Sequence, residues 1–500
     1  MKDRKMLLIR ADADAQIGTG HVMRCLALAE AWLDNGGDVS FVSACEVPEL
    51  EVRLKNEGIQ ILHIRQKAGT LSDAEETARI AQVCGAKWIV VDGYHFGADY
   101  QKTIKDTGLS LLFIDDYGHA DHYYADIVLN QNIYADMSFY KKYEPYTRFL
   151  LGTKYVLLRR EFLKWSGWHR EIPEVAHKIL VTLGGSDPDN ITQKIIEVLK
   201  SVNPHEIEVN VVIGGANPHS DRIYETVKDL SNYTLIKNSD NMAELMAWAD
   251  VAISAGGSTC WELAFLSTPF VTIFIANNQK PVVLGLSAKN SAVNMGDGHA
   301  IRKKEISDTL KKIIKSTEMR SNLSINSKSL VDGEGVSRVI MNINSDPIRL
   351  RPIKQSDCGT LWNWVNELTV RRSAFNSEYI PINEHKLWFS QKISDPNCFF
   401  LIGLDRCDNP IGQIRFDITG NNAIVDISID KNERKKGLAK ILINKGLNEL
   451  QKKYNISVIK AYIKKENRDS VKAFMACNFE FTDTEKINNS ETILLSRKIL

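Results

Sequence analysis

Short apolar segments alternate with helix-like stretches through the first two thirds of the chain, and this alternation constrains the fold more than any other feature. Strand-like pieces stand at residues 6–9, 39–42, 60–64, 88–91 and 109–114, each followed by a turn or helix, and 127–129 closes the series. A second series occupies 178–183, 208–213, 233–236, 251–254 and 270–275. Strand–helix–strand repetition is the signature of parallel βα units. Two such units predict two α/β domains in series, 1–160 and 161–345, with a cleft between them that suits a nucleotide-type ligand. Their similarity is one of architecture; no internal sequence repeat stands out. A helix over 336–344 ends at Asp346-Pro347, a natural boundary. Beyond it come a strand at 348–352, two helices, and an antiparallel-looking run at 398–404, 410–418 and 423–429. These predict a third domain of α+β type over 348–500, making the whole chain α/β.

Charge narrows the function classes. Lys and Arg number 63 against 62 Asp and Glu, a net charge of +1, which gives no reason to invoke nucleic acid or an anionic membrane. The 8 cysteines are scattered with no Cys-x-x-Cys pair, and Met1-Lys2-Asp3-Arg4-Lys5 runs into a strand rather than an export segment. Reduced thiols and a cytoplasmic location are the expectation, with no apolar run near the roughly 20 residues that span a bilayer.

The chemistry concentrates in turns. After the first strand comes Arg10-Ala-Asp-Ala-Asp-Ala-Gln-Ile-Gly-Thr-Gly-His21-Val-Met-Arg24, leading into an amphipathic helix. Gly18 and Gly20 remove side chains where backbone can approach a phosphate, and a helix N-terminus favours an anion there. His21 stands at that mouth, and histidine is the side chain that titrates nearest neutrality. Leu183-Gly-Gly-Ser-Asp-Pro-Asp-Asn190 repeats the strand–turn–helix logic, with Gly185 and Ser186 offering amides and a hydroxyl to a diphosphate. Ser254-Ala-Gly-Gly-Ser-Thr-Cys-Trp-Glu262 does so again: Ser258 and Thr259 open the helix, and Glu262 offers a carboxylate to ribose hydroxyls. Asn278 supplies a neutral amide after a further strand, and Tyr94 a phenol at the end of another. Each has a plainer reading beside it: tight turns for Gly184-Gly185 and Gly256-Gly257, an exposed helix residue for Glu262, a packed strand-end aromatic for Tyr94. Asp12 and Asp14 form an Asp-x-Asp pair without other ligands at metal spacing, so a solvated loop and no metal are expected.

In the third domain, Asp426 to Asp430 reads as a strand ending near Ile429, and Arg434-Lys-Lys-Gly-Leu-Ala439 opens the next helix. Arg434, Lys435, Lys436, Gly437, Leu438 and Ala439 thus aim amides and positive charge at a pyrophosphate. Asn467-x-x-Ser470 follows a later strand.

Arg10, Asp12, Ile17, Gly18, Gly20, His21 and Arg24, with the later turns in their order, resemble the UDP-sugar hydrolases of pseudaminic acid biosynthesis across nearly all of 1–345. Those enzymes are relatives of the bacterial glycosyltransferase that makes lipid II. The resemblance implies a GT-B-like pair of Rossmann domains, UDP held by the second domain, and His21 as general base for metal-independent, inverting hydrolysis. The third domain resembles the GNAT acetyltransferases across 348–500. This implies acetyl-CoA as donor, with Ile429 and 434–439 along its pyrophosphate side and Asn467 by its pantetheine arm. Many GNAT enzymes carry a tyrosine seven residues after this Asn; here it is Phe474, which has no proton to give. Arg371-Arg372-Ser373, His385 and Trp388-Phe389 look like the acceptor side of acetyltransferases acting on nucleotide-linked 4-amino sugars, although His385 also reads as a helix-surface residue and Trp388 as core. The resemblances together imply a bifunctional enzyme with a UDP-linked amino sugar as its partner. The alternatives are a glycosyltransferase fused to an acetyltransferase, and a non-catalytic binder of nucleotide sugar or acetyl-CoA.

Overall fold

A computed structural model describes residues 5–13, 18–185, 187–202, 206–215, 217–344, 348–405, 408–434 and 437–498. The chain forms two compact units, parted between residues 344 and 345.

The first unit holds two parallel sheets. The first comprises β1 (Met6–Ala11), β2 (Asp38–Ser43), β3 (Gln60–His63), β4 (Trp88–Asp92), β5 (Ser110–Ile114), β6 (Ile127–Asn130) and β7 (Arg148–Leu151), in the order β3-β2-β1-β4-β5-β6-β7. The second comprises β8 (Lys178–Thr182), β9 (Glu208–Ile213), β10 (Tyr233–Lys237), β11 (Val251–Ala255), β12 (Phe270–Phe274) and β13 (Val293–Asp297), in the order β10-β9-β8-β11-β12-β13. The strand order reverses between β1 and β4 in one sheet and between β8 and β11 in the other. Such switch points leave a crevice at the carboxyl ends of the strands, where ligands of open α/β sheets bind. The glycine turns after β1, β8 and β11, and the Asp92–Tyr94 segment after β4, all fall there.

Each sheet is covered on both faces. One core packs Leu7, Ile9, Val90 and Leu112 against the helix Gly20–Asp34, and another packs Leu8, Ile89, Val91 and Phe113 on the opposite face. Full burial of an aliphatic side chain contributes roughly 1.5–3 kcal/mol, so these strands are fixed by their apolar faces. The helix Gly335–Asn344 buries Val336, Val339, Ile340 and Ile343, one helical stripe, in the core of the first sheet. The chain therefore returns to its first domain after completing the second, and this helix lies outside the domain to which 161–345 assigns it.

The second unit has one mixed sheet: β14 (Arg349–Pro352), β15 (Cys398–Leu404), β16 (Pro410–Thr419), β17 (Asn422–Ile429), β18 (Val458–Lys464), β19 (Glu480–Ile487) and β20 (Ser490–Lys498), in the order β14-β15-β16-β17-β18-β20-β19. All neighbours are antiparallel except β17 and β18, which pair in parallel only from Asn422–Ile424 to Val458–Lys460 and then part. The helices Leu438–Lys453 and Arg468–Met475 cover one face through Leu442, Ile443, Leu447 and Phe474. Cys358–Val365 and Ile382–Ser394 cover the other through Leu361, Trp364 and Phe389.

Candidate active sites

His21 lies in the first turn of the helix Gly20–Asp34, whose preceding Gly18 has a left-handed φ of 75°. The register of β1 on β4 sets Ala11 beside Asp92, which brings the end of β4 under the turn. His21 Nδ1 lies 2.6 Å from Asp92 Oδ1. Arg24, three residues on and so on the same helix face, reaches Asp92 with Nε and Nη2, both at 2.6 Å. It also reaches Asp116 at 2.8 and 3.1 Å. Arg24 Nη2 also lies 3.1 Å from His21 Nδ1, but the nearer Asp92 carboxylate can only accept. Nδ1–H therefore donates to the carboxylate, and the Nε2 lone pair is left without a partner among the described residues.

The charges decide what this imidazole can do. Burial pushes the Asp92 carboxyl up, but the Arg24 and His21 charges and hydrogen bonds more than reverse it, holding it well below the usual carboxylate range. For Asp116, burial is likewise outweighed, chiefly by Arg24. Two carboxylates thus face one guanidinium, and a proton taken by His21 offsets the second negative charge. Tyr94 donates its hydroxyl to Asp116 at 2.8 Å and sets its ring edge-on to His21, centroids 4.8 Å apart. Burial, then Asp116, drives the phenol's pKa far up, so Tyr94 serves as a hydrogen-bond donor and not as an acid or base near neutrality.

Sequence reasoning missed Asp92 and Asp116 as partners of His21, together with Asn132, which donates to Asp116 at 2.7 Å. A signal existed: polar residues end or follow the apolar strands β4, β5 and β6 in succession. Asp12 departs from the solvated-loop expectation. It is buried and ion-paired with Arg10 at 2.7 Å, because a buried guanidinium demands a counter-charge. Asp14 and Ile17 lie outside the described residues.

The second sheet supplies the facing wall. A Cβ on Gly185 would meet Thr19 Oγ1 at 3.5 Å, so the two glycine turns oppose each other across the cleft, and Gly20 faces open space. Gly184 holds a left-handed φ of 96°. Ser186 lies outside the described residues. Ser258 precedes the short helix Thr259–Phe265 and its side chain caps nothing. Glu262 is engaged: its Oε1 accepts from Arg159 Nη2 at 2.8 Å, and Arg159 also pairs with Glu161. Asn278 is exposed and its side chain lies close enough to the Tyr94 phenol to affect it, which puts an amide of the second domain near the His21 side of the cleft. Among the described residues no group of three or more His, Cys, Asp or Glu is placed to hold a metal, and no helix is long and apolar enough to cross a membrane.

In the second unit a cavity of about 310 Å³ opens where β17 and β18 part. Asp426 and Ser428 of β17, Tyr462 and Lys464 of β18, Asn467, and His385 with Trp388 from the helix Ile382–Ser394 line it. Strands that part leave backbone groups unpaired, which suits an amide-bearing ligand arm such as that of acetyl-CoA. Gly437 takes a left-handed φ of 70° and starts the helix at Leu438 and Ala439, so backbone faces outward at the turn. Lys435 and Lys436 lie outside the described residues. Arg434 is turned away from the turn: it donates to the Ile429 carbonyl at 3.1 Å and to Glu367 at 2.7 Å. Despite partial burial, hydrogen bonds from Thr369 and Arg434 hold the Glu367 carboxyl down at about 2. Asn467 Oδ1 caps its helix by accepting from Ser470 N at 3.2 Å. Phe474 is buried edge-on against Phe479, centroids 5.0 Å apart, so the position that holds a phenol in many GNAT enzymes here serves the core. His385 is buried, not on the helix surface, and Phe389 is core, while Trp388 borders the cavity.

These features define a class: two Rossmann-like domains with a histidine at the cleft, in one chain with an acetyltransferase-type mixed sheet. Residues 178–332 match the model of the glycosyltransferase family 28 C-terminal domain, and 362–479 match the acetyltransferase (GNAT) family. Among curated relatives, the UDP-2,4-diacetamido-2,4,6-trideoxy-beta-L-altropyranose hydrolase of Campylobacter jejuni is 29% identical over 57% of this chain and 98% of its own length. The spore coat polysaccharide biosynthesis protein SpsG of Bacillus subtilis is 26% identical over 66% of this chain and 95% of its own. An uncharacterised protein of Methanocaldococcus jannaschii is 29% identical over 54% of this chain, which spans 55% of that protein's length.

Proposed function

We propose that the chain is a bifunctional enzyme of pseudaminic acid biosynthesis. The first unit hydrolyses UDP-2,4-diacetamido-2,4,6-trideoxy-β-L-altropyranose to UDP and 2,4-diacetamido-2,4,6-trideoxy-L-altrose. The second uses acetyl-CoA to acetylate the 4-amine of UDP-4-amino-4,6-dideoxy-N-acetyl-β-L-altrosamine, the preceding step. The observation that carries the hydrolase reading is the His21–Asp92 contact of 2.6 Å, which orients the imidazole and leaves Nε2 to take a proton.

His21 removes a proton from water as the oxygen attacks C1 of the sugar; the C1–O bond to the diphosphate breaks and the anomeric centre inverts. Asp92 stabilises the imidazolium, as the buried carboxylate of a catalytic triad does. Backbone at Gly18, Gly20 and Gly185, with Ser186, Ser258 and Thr259, receives the departing diphosphate, where aligned amides favour negative charge. Glu262 receives the ribose, while Asn278 and Tyr94 border the sugar. In the second unit the turn at Ile429–Ala439 and Asn467 would hold acetyl-CoA, which supplies the activated acetyl group. The GNAT match over 362–479 supports that half of the reading.

The test is UDP release from the diacetamido UDP-sugar. His21→Ala is expected to lower the rate by roughly 10²–10⁴-fold, the usual contribution of a general base, with UDP binding retained. Hydrolysis by His21→Ala near the wild-type rate would sink the assignment.

A further inference from the structure

The wall of the second unit's cavity holds polar atoms that no described residue satisfies. His385 Nε2, Gln413 Oε1 and Ser428 Oγ are buried without hydrogen-bond partners, and all three residues line the cavity. A buried polar atom left unmet loses the hydrogen bond it made to water, so three on one wall mark a place where a ligand completes the structure. His385 is 3% exposed, with its ring stacked beside Phe389 and tilted against Trp388. The Cys358 carbonyl hydrogen-bonds the ring. Because Nε2 has no partner, that bond belongs to Nδ1–H, and the lone pair sits on Nε2.

Resting on the acetyltransferase reading above, we infer that His385 is the base that takes the proton from the acceptor amine, while Gln413 and Ser428 bind the polar groups beside that amine. The nitrogen attacks the thioester carbonyl carbon; the C–N bond forms, and the C–S bond breaks with its electron pair on sulfur. The proton of the resulting ammonium passes to His385 Nε2, and the thiolate takes a proton from water. An acceptor rich in hydroxyl and amide groups, such as an amino sugar, fits this wall better than a linear aliphatic amine, which would leave Gln413 and Ser428 unmet.

The charged neighbours in the cavity are already engaged. Arg371 donates to the carbonyls of Val365 and Glu378, Arg415 to Asp417, and Lys464 to the Arg372 carbonyl. Asp426 accepts from Gln413 Nε2 at 2.8 Å and is the rival base. Cys358, beside the ring, has its thiol pushed up by burial. Burial likewise lowers the His385 pKa, which keeps the imidazole neutral and proton-accepting near neutral pH.

The experiment follows CoA thiol release by the full chain with acetyl-CoA and the UDP-4-amino sugar between about pH 5 and 9. His385→Gln is expected to lower kcat by about 10²-fold or more, to leave the KM for acetyl-CoA unchanged, and to lose the imidazole's acid limb from the pH profile. Added imidazole should restore part of the rate to His385→Ala, which also decides the matter if His385→Gln does not fold. Wild-type kcat and pH profile in His385→Gln, or loss of the acid limb in Asp426→Asn instead, would overturn the role of His385 alone. Absence of thiol release by the wild-type protein would overturn acetyl transfer and this inference with it.

Discussion

The two histidines in the two units reach the same readiness by opposite routes. His21 stands in a lattice of charge: Asp92 on its Nδ1, Arg24 bridging Asp92 to Asp116, and Tyr94 donating to Asp116. His385 stands among aromatic rings with a backbone carbonyl as its hydrogen-bond partner. In the first setting a neighbouring carboxylate stabilises the imidazolium as it forms. In the second, burial keeps the ring neutral until a substrate amine offers a proton. An environment that must support a developing charge beside a departing diphosphate needs fixed counter-charges. One that takes a proton from the acidic ammonium formed as the amine attacks needs little more than a dry lone pair.

The sharpest break of this comparison is Asp92→Asn. In an analogous Asp–His pair the amide costs about 10⁴-fold in kcat through the wrong tautomer, and a similar loss of UDP release is expected here. Among the described residues no charged side chain plays that part for His385, so no single carboxylate-to-amide change should cost acetyl transfer as much. A melting curve of Asp92→Asn separates the catalytic effect from any loss of fold.

Arg24→Met comes next and is expected to act on stability. Arg24 is buried between two buried carboxylates, and removing one partner from such a set costs about 3–5 kcal/mol because the remaining charges are stranded. Urea unfolding should show that loss in the first unit. A stable Arg24→Met with wild-type hydrolysis would mean that the lattice is not what holds His21.

The turn carrying His21 was legible because it is local: strand, two glycines and a histidine within a few residues. The lattice beneath it was not, because Asp92 lies 71 positions from His21 and reaches it only through the parallel register of β1 on β4. The parallel sheets were legible from apolar runs, but β7 and β13 were not. They carry Arg148 and Gly296 and lie at sheet edges, where one-sided burial needs no continuous apolar run. For the same reason β19, almost wholly exposed along Glu480–Ile487, gives no alternation to read. For His385 the sequence leaves the acceptor side and the helix surface both open; the helix Cys358–Val365 and the strands of the cavity wall that bury it are set by tertiary packing.

Acid sharpens the contrast by timing. Asp92 and Asp116 have pKa values depressed in the fold, so their stabilisation is fully present above the unfolded value of about 4 and is lost as pH falls below it. His385 also has a depressed pKa, but its unfolded value is about 6.5, so its contribution is present above that and declines as pH falls below it. Hydrogen exchange followed from neutral to acid pH should therefore show the second unit loosening around His385 before the first unit loosens around Arg24. Simultaneous loosening would remove the distinction between a charge-built and a burial-built site.

Gly185→Ala carries the smallest expected effect and tests where the first site's ligand passes. The new methyl group would lie 3.5 Å from Thr19 Oγ1, an ordinary contact, and Gly185 does not require a left-handed φ, so the fold should lose less than about 1 kcal/mol. The methyl nevertheless stands between the two opposing glycine turns, where a diphosphate must approach backbone. KM for the UDP-sugar should rise several-fold with kcat little changed, because binding is hindered equally in ground and transition states. Acetyl transfer by the second unit, whose site shares no residue with that turn, should not change. An unchanged KM would place the diphosphate away from Gly185 and leave its binding to the turns at Gly18–Gly20 and Gly257–Thr259.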